Sequence, residues 1–394
     1  MEKTFTSTEE RTQRPVTVPG FGRPLEEHEM VINMGPQHPS THGVLRLELI
    51  VDGEIAVDVI PHIGYLHRCF EKHAEHITNY QQVIPYCDRM DYVASMSNDF
   101  GYAVACEKLL KITVPERVEY IRVIMAELQR IASHLIAVGT YGMDIGAFTP
   151  FLYCFRDRER ILDIFEQTCG ARLLYNYIWI GGLSHDVQSD FQQKVKDFCK
   201  YFRPNIKELN DLLSYNKIFI ERTANVGVLP VDVAINCGAS GPVLRGSGLK
   251  WDLRKNDPYS IYDRFDWEIP IGAGKMGSVG DCWDRYMVRV HEMEQSLNII
   301  EQAVENIPIG DVQSGVPKRI RPDTADLYVR TETPKGELGY YIMADGTTSP
   351  FRVKVKSPCF VNLSLLPIIA RGAMIADVIA ILGSIDIVLG EVDR

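Results

Sequence analysis

The chain has 394 residues, of which 45% are hydrophobic and 24% are charged, values typical of a folded globular protein with a large core. Its formal net charge of −10 argues against extensive non-specific binding of nucleic acid. No charged segment followed by an apolar stretch opens the chain, so we do not expect a secreted protein.

The first predicted elements are an extended tail and a β-hairpin. Residues 1–28 are polar and carry three prolines, a pattern typical of a tail without a core of its own. From Val44 to Pro61, two β-rich arms flank Asp52-Gly53, the strongest short-range signal for a tight hairpin turn. We therefore predict a hairpin within residues 29–62.

Helical patterns dominate residues 88–306. Apolar residues recur at helical spacing in five segments, at 88–110, 115–138, 151–168, 190–215 and 279–306. Gly170 is expected to end the third of these helices. Pro204 is expected to kink or divide the fourth, because proline lacks the backbone N–H and clashes with the preceding turn.

The C-terminal part is predicted to combine short strands with two further helices. Strand patterns begin near Asp326 and continue at 338–343 and 351–355, and helical patterns cover 358–370 and 374–382. We therefore predict one domain over residues 29–394, mainly α with small β elements (α+β). Its parts are the β-hairpin at 29–62, the helical core at 88–306, and the β region with terminal helices at 326–394.

Neither the apolar segments nor the cysteines predict a membrane span or a metal cluster. The most apolar stretch, 374–390, is short for a spanning helix and is interrupted by polar residues. We read it as a buried helix followed by a core strand or turn, in a soluble or peripheral protein. The nine cysteines form no Cys-x-x-Cys pair, which disfavours a zinc ribbon or a locally ligated iron–sulfur cluster.

The segment from Asn33 to Gly43 contains the first residues suited to chemistry. It reads Asn-Met-Gly-Pro-Gln-His-Pro-Ser-Thr-His-Gly, so two imidazoles stand among prolines and glycines just ahead of the hairpin. Imidazoles exchange protons near neutral pH, and Pro and Gly favour a backbone outside regular helix or strand. The segment is therefore either a stiff, histidine-bearing site loop or a structural turn.

Seven of the ten histidines lie between residues 28 and 76, which leaves a metal site open as an alternative. The candidate pairs are His38 with His42, His62 with His67, and His73 with His76. The last pair is three residues apart, whereas the His-Glu-x-x-His motif of metallohydrolases has its histidines about four apart. The proline after His38 also disfavours a helical conformation there. For each histidine, an ordinary hydrogen-bonded role stands beside the metal interpretation.

Two further clusters place titratable side chains near predicted helix ends. In the first, Tyr92 lies close to Arg89 and could donate a hydrogen bond in a polar niche, although Asp88 could equally be an ordinary helix cap. In the second, Asp144 stands among small and apolar residues. A buried carboxylate there must be paired or have a raised pKa, so Asp144 is either a proton-relay group or a turn-forming residue.

Three other motifs accompany these clusters: Gly64-Tyr65-Leu66-His67-Arg68, the Pro-Lys-Gly-Glu-Leu-Gly-Tyr-Tyr segment at 334–341, and the C-terminal Gly390-Glu391-Val392-Asp393-Arg394. The complete set closely resembles the 49-kDa (D/H-type) subunit of respiratory complex I, the proton-pumping NADH:quinone oxidoreductase. The resemblance runs from about Met30 to the C-terminal arginine. It implies a helical core similar to that of the large subunit of nickel–iron hydrogenases, to which this family is related.

The similarity to hydrogenases is partial. Arg68-Cys69-Phe70-Glu71 is similar to the Arg-Gly-x-Glu element of hydrogenases, with Cys in place of Gly. The nickel-binding Cys-x-x-Cys pairs have no counterpart, and this chain has Arg89 to Ala94 where the first would lie. Without thiolates there is no soft-ligand cage for nickel and iron, so we exclude hydrogenase activity.

The resemblance also implies roles for individual residues. In the family, the side chains that match His42 and Tyr92 reach the quinone headgroup, and the carboxylate that matches Asp144 pairs with the histidine. These three are the predicted catalytic residues. The predicted cofactor-binding residues are Arg68, close to the terminal iron–sulfur cluster, Arg89, and His38 in a supporting role. No residue is predicted to bind a metal.

The implied function is that of the quinone-binding subunit in the peripheral arm of complex I, on the cytoplasmic face of the bacterial inner membrane. The substrate is ubiquinone or menaquinone, and a neighbouring subunit holds the terminal iron–sulfur cluster. Expected partners are that small iron–sulfur subunit, the 30-kDa-type peripheral subunit and the quinone-site membrane subunit; activity is expected only of the complex. The alternatives are a scaffold subunit of a related ferredoxin-dependent or hydrogenase-like membrane complex, and a metallohydrolase that uses the histidine cluster.

Overall fold

The computed structural model describes residues 25–38 and 41–394, so residues 1–24 of the predicted tail lie outside the described part of the chain. Within that part the chain is mainly helical with three small sheets, which confirms the predicted α+β class. The strands are β1 (Glu29–Met34), β2 (Arg46–Asp52), β3 (Ile55–His62), β4 (Ile178–Trp179), β5 (Gly182–Leu183), β6 (Ala325–Thr333), β7 (Gly336–Ala344) and β8 (Arg352–Lys356).

The predicted hairpin is present and is extended by a third strand. β2 and β3 pair in antiparallel orientation around the Asp52-Gly53 turn, where Gly53 has the positive φ of 60° that suits glycine. β1 pairs with the other edge of β2. The loop between β1 and β2, which carries the two imidazoles, is therefore anchored to the sheet at both ends.

Helices make up most of the remaining described chain. They are α1 (Phe70–His76), α2 (Ile84–Cys87), α3 (Ser95–Leu110), α4 (Glu116–Asp144), α5 (Phe148–Cys169), α6 (Phe191–Leu209), α7 (Lys217–Thr223), α8 (Val231–Asn236), α9 (Gly241–Gly246), α10 (Leu253–Asn256), α11 (Cys282–Glu305), α12 (Pro358–Leu363), α13 (Leu366–Ile369), α14 (Ile375–Ile385) and α15 (Leu389–Asp393). In the described part of the chain, none of them is long and apolar enough to cross a membrane.

Helix α4 lies at the centre of the helical core and packs against α3, α5, α11 and α14. Its predicted apolar stripe is buried, but so is most of the face that carries charged residues. Buried charges require paired partners. Arg122 pairs with Glu107 at 2.6 Å. Burial lowers the pKa of His134 to about 4, so its 2.8 Å contact with Glu292 on α11 is a hydrogen bond of the neutral imidazole. The helix is thus buried on nearly all sides, which its amphipathic pattern did not predict.

The helix predicted to start at residue 88 begins instead at Ser95. Residues 88–94, which we call the 88–94 turn, follow α2 without helical structure. Oδ1 of Asp91 accepts a hydrogen bond from the backbone N–H of Val93 at 3.1 Å, and the carbonyl of Asp88 accepts one from the Ser95 hydroxyl at 2.9 Å. Side-chain hydrogen bonds of this kind compete with the helical ladder.

Prolines also bear on two of the predicted helices. Pro204 lies within α6 without dividing it, and the backbone carbonyl that its missing N–H would bond belongs to the exposed Lys200. The helix predicted at 358–370 is split into α12 and α13, because Pro367 in the first turn of α13 lacks the N–H that would bond the carbonyl of Leu363 in a continuous helix. After α14 the chain turns at Asp386 and enters α15, so the alternative of a core strand there is wrong.

Candidate active site

A cleft of about 200 Å³ opens between the β1–β2 loop, the 88–94 turn and the C-terminal end of α4. The β6–β7 turn and the segment between α14 and α15 complete its wall. Its polar side chains are His42, Tyr92, Thr140, Asp144, Lys335 and Asp386, and the rest of the wall is largely apolar. A few convergent polar groups in an apolar cleft are typical of small-molecule sites.

His42 and Asp144 form an ion pair in the wall of this cleft. Nε2 of His42 lies 2.6 Å from Oδ2 of Asp144, and the two side chains are 15% and 6% exposed. Burial lowers the pKa of His42, but the hydrogen bond and charge of Asp144, together with the charge of Asp386, outweigh burial and raise it above 6.5. The imidazole therefore holds its proton more firmly at neutral pH than a free histidine does.

Local structure positions both members of this pair. Asp144 is the last residue of α4, where the negative end of the helix dipole disfavours a carboxylate without a cationic partner. His42 has a left-handed backbone, with φ of 50°. Before it, the N–H and hydroxyl of the buried Thr41 donate hydrogen bonds to the carbonyl of His38, at 3.1 and 2.8 Å. These backbone contacts close the loop and hold the imidazole at the cleft.

Tyr92 reaches the cleft from the 88–94 turn. Burial and the negative charge of Asp91 raise the pKa of this phenol, while the charges of Lys335 and Arg68 act in the opposite direction. The phenol is therefore protonated at neutral pH and can donate one hydrogen bond. A neutral donor and a cationic donor thus face the same cleft.

A second ion pair, which no sequence pattern predicted, lines the same cleft. Nζ of Lys335 lies 3.2 Å from Oδ2 of Asp386 and donates a hydrogen bond to the hydroxyl of Ser133 at 2.7 Å. Burial lowers the pKa of Lys335, but Asp386 and Asp91 outweigh it and raise that pKa above its usual value. The lysine belongs to the motif at 334–341, but no local signal distinguishes a buried lysine from an exposed one in a hairpin turn.

The three predicted cofactor-binding residues lie outside the lining of the cleft. His38 is exposed, and its carbonyl holds the loop closed as described above. Arg68 donates a hydrogen bond through Nη2 to the carbonyl of Arg89, and its own N–H bonds the carbonyl of Arg394 at 3.2 Å. Arg89 donates to the carbonyl of Pro85 at 2.6 Å. The structure therefore brings together His42, Tyr92 and Asp144 but not these three.

Each candidate metal pair contains a histidine that has another partner. Nε2 of His62 lies 2.8 Å from a carboxylate oxygen of Glu48, and Nδ1 of His67 lies 2.7 Å from the carbonyl of Asp393. His73 stacks on Tyr86 with a ring-centroid distance of 5.7 Å. Among residues 25–38 and 41–394, no group of three or more His, Cys, Asp and Glu side chains is arranged to hold a metal ion.

Comparison with known proteins shows similarity to one family along the chain. Residues 144–326 and 314–394 match the family model described as the respiratory-chain NADH dehydrogenase 49-kDa subunit. The D-type subunit of the NADH-quinone oxidoreductase of Chlorobium luteolum is 58% identical over 374 residues, which cover 94% of this chain and 94% of the relative.

Relatives from other bacteria give the same result. The D-type subunit of Chlorobium chlorochromatii is 54% identical over 398 residues, covering 100% of this chain and 99% of its own length. A D-type subunit of the NADH-quinone oxidoreductase of Cytophaga hutchinsonii is 58% identical over 381 residues, covering 94% of this chain and 97% of its own length.

Proposed function

Because the chain belongs to the family of the 49-kDa subunit of respiratory-chain NADH dehydrogenase, we propose that its cleft is where a quinone headgroup is reduced and protonated. The chain is a subunit of NADH-quinone oxidoreductase, so the activity is that of a multisubunit enzyme. The observation that carries the proposal is the 2.6 Å contact between His42 and Asp144 in a cleft that Tyr92 also lines.

The chemistry of quinone reduction matches the donors in this cleft. Two-electron reduction builds negative charge on both carbonyl oxygens of the quinone and ends with the uptake of two protons. Preorganised donors stabilise such developing charge, and positioned acids supply the protons. Tyr92 serves as the neutral donor to one oxygen, and His42, as an imidazolium, serves as the cationic donor to the other.

Asp144 pairs with His42, and it also carries a negative charge that the protonated imidazole compensates. While His42 is protonated, the pair carries no net charge. When His42 gives its proton to the quinone, Asp144 is left as an uncompensated, nearly buried carboxylate, which is costly. This change of charge at the end of α4 is our candidate for the signal that couples quinone reduction to proton pumping.

By the family resemblance, the electrons come from the terminal iron–sulfur cluster of a neighbouring small subunit, near Arg68. His38 and Arg89 support the site from outside the cleft. The 30-kDa-type subunit and the quinone-site membrane subunit are the other proposed neighbours. The chain thus lies in the peripheral arm, on the cytoplasmic face of the inner membrane, and its substrate is ubiquinone or menaquinone.

Replacement of Tyr92 in the assembled complex tests this function. In Tyr92→Phe the ring remains but the donor is lost, so the rate of quinone reduction by NADH should fall by about tenfold or more. Electron transfer from NADH to an artificial acceptor that takes electrons upstream should not change. Tyr86→Phe is a matched control, because Tyr86 precedes the same turn but is exposed and stacks on His73. Unchanged quinone reduction in Tyr92→Phe would favour a purely structural subunit.

A further inference from the structure

Two carboxyl groups are buried beside the cleft with incomplete hydrogen bonding. Asp91 and Glu391 are each 0% exposed. One oxygen of each accepts a backbone hydrogen bond, from Val93 to Oδ1 of Asp91 at 3.1 Å and from Cys359 to Oε2 of Glu391 at 3.2 Å. The remaining oxygens, Oδ2 of Asp91 and Oε1 of Glu391, have no hydrogen-bond partner within the described residues. A fully buried carboxylate oxygen in this situation strongly disfavours the ionised form.

The two carboxyls belong to backbone segments that touch. A Cβ added to Gly390 would lie only 2.6 Å from the carbonyl oxygen of Met90, so α15 packs directly against the 88–94 turn. The titratable and charged groups that face the pair from the surrounding elements are Arg68, Tyr92, Lys335, Tyr340, Cys359 and Asp386.

Lys335 acts on both carboxyls and is already paired with Asp386 at 3.2 Å, and Asp386 also faces Arg289 at 3.7 Å. Two cations therefore face three carboxyl groups, so one carboxyl charge would be left without a cation. Burial raises the pKa of Asp91. Burial, followed by the charge of Asp91, raises the pKa of Glu391 to about 8. The electrostatics thus agree with the missing hydrogen-bond partners: one carboxyl of the pair stays protonated.

We propose that Asp91 and Glu391 share a single proton at neutral pH. They act as a proton store that reprotonates Tyr92 after Tyr92 has given its own proton to the quinone. The proposal rests on the function proposed above, and it deepens that function by assigning the source of one substrate proton. Asp91 is adjacent to Tyr92 in the chain, and Lys335 lies in the wall of the cleft.

The steps balance in atoms and charge. During reduction the O–H bond of Tyr92 breaks, its proton forms an O–H bond on the quinone, and a phenolate is left. The stored proton then passes to the phenolate oxygen, and the carboxyl pair becomes doubly ionised beside Lys335. A proton from water restores the pair, while the electrons are those that the complex delivers to the quinone.

Infrared spectroscopy and kinetics of the assembled complex test the store. Glu391→Gln keeps the shape but removes the acid, whereas Glu391→Asp keeps an acid on a shorter chain. In the resting complex at pH 7, Glu391→Gln should lose one C=O band of a protonated carboxyl, a band that shifts in deuterated water. Its kcat for quinone reduction should fall about tenfold with the quinone KM within twofold. Glu391→Asp should keep the band and most of the rate.

A second buried acid provides the control. Asp99 is 0% exposed, neither of its carboxyl oxygens has a hydrogen-bond partner within the described residues, and it lies away from the lining of the cleft. Asp99→Asn should remove its own carboxyl band and leave quinone reduction near the wild-type rate. This variant separates loss of a buried acid in general from loss of the acid beside Tyr92.

The outcomes distinguish this proposal from the function on which it rests. The proposed proton store is overturned if the carboxyl band is unchanged in Glu391→Gln. It is also overturned if that variant keeps the wild-type kcat for quinone reduction. If Glu391→Gln reduces quinone faster than Glu391→Asp does, position 391 has a structural role, and the proposed proton store is also overturned. The band is measured without turnover, so it decides whether the pair holds a proton even if Tyr92→Phe disproves the proposed quinone site.

Discussion

The charge of His42 depends on a balance between burial and one carboxylate. Burial alone would lower the pKa of the imidazole, and the contact with Asp144 at 2.6 Å reverses the sign. Because folding raises this pKa above 6.5, the ion pair contributes its full stabilisation below about pH 6.5. That contribution is lost as the pH rises through the raised pKa of the folded state.

Asp144→Asn should reverse the direction in which the pKa of His42 is shifted. Without the carboxylate, burial and the charge of Lys335 outweigh the charge of Asp386, so the pKa of His42 should fall below 6.5. If His42 is the cationic donor, the alkaline decline of quinone reduction should move to lower pH, and fewer protons should be pumped per electron. The measurements are the rate between pH 6 and 9 and the pumping ratio in vesicles.

The control for this variant is Asp186→Asn, because Asp186 is exposed and pairs with Arg117 at 2.9 Å away from the cleft lining. Its pH profile should match that of the wild type. If the Asp144→Asn complex keeps the alkaline decline and the pumping ratio of the wild type, the pair of His42 and Asp144 neither sets the charge of the proton donor nor couples quinone reduction to pumping.

At the scale of elements, the site depends on the contact between α4 and α14. Gly383 of α14 faces the last turn of α4, where a Cβ would lie 2.7 Å from Cδ2 of Tyr141 and 2.9 Å from Oδ2 of Asp144. Contacts this short require one of the helices or side chains to move. The glycine therefore sets how closely α14 approaches the carboxylate that holds His42.

Gly383→Ala should displace Asp144 and weaken its contact with His42. Overpacking of this kind destabilises a core by about 1–3 kcal/mol, and the alkaline decline of quinone reduction should shift as it does in Asp144→Asn. Gly315→Ala is a suitable control, because a Cβ there meets no atom within 4 Å. Wild-type thermal stability and pH profile in Gly383→Ala would mean that the helices absorb the methyl group without moving the carboxylate.

Elements with strong local patterns were predictable from the sequence. The Asp52-Gly53 turn and the long apolar period of α4 both appear in the structure close to their predicted positions. The start of α3 was not predictable, because it depends on side-chain hydrogen bonds in the 88–94 turn rather than on periodicity. The split between α12 and α13 follows from a proline whose effect depends on its place in the turn.

At the scale of the whole molecule, the site joins residues that are far apart in sequence. His42 and Asp144 are 102 positions apart, and in the sequence only the family resemblance pairs them. Lys335 and Asp386 were missed, because neither spacing nor composition indicates that two distant charges share a buried contact. The same limit applies to Glu391, because its place in the C-terminal motif does not indicate a role for its side chain.

A network of buried ion pairs connects the helical core to the β6 strand. Arg245 of α9 lies at its centre, 2.7 Å from Glu292, 2.8 Å from Glu332 and 3.3 Å from Asp252. All four side chains are at most 1% exposed. Removing one partner of such a network leaves uncompensated buried charges, which costs far more than the intact network contributes.

Arg245→Met should therefore destabilise the chain by about 3–5 kcal/mol and reduce its incorporation into the complex. Arg203→Met is the matched control: Arg203 pairs with Glu301 at 2.8 Å, but both side chains are more than 40% exposed, and the loss should stay below about 1 kcal/mol. The measurements are the amount of assembled complex and its temperature of half-inactivation. Equal values for the two variants would mean that water or side-chain movement compensates the carboxylates, and that the buried network does not hold the core together.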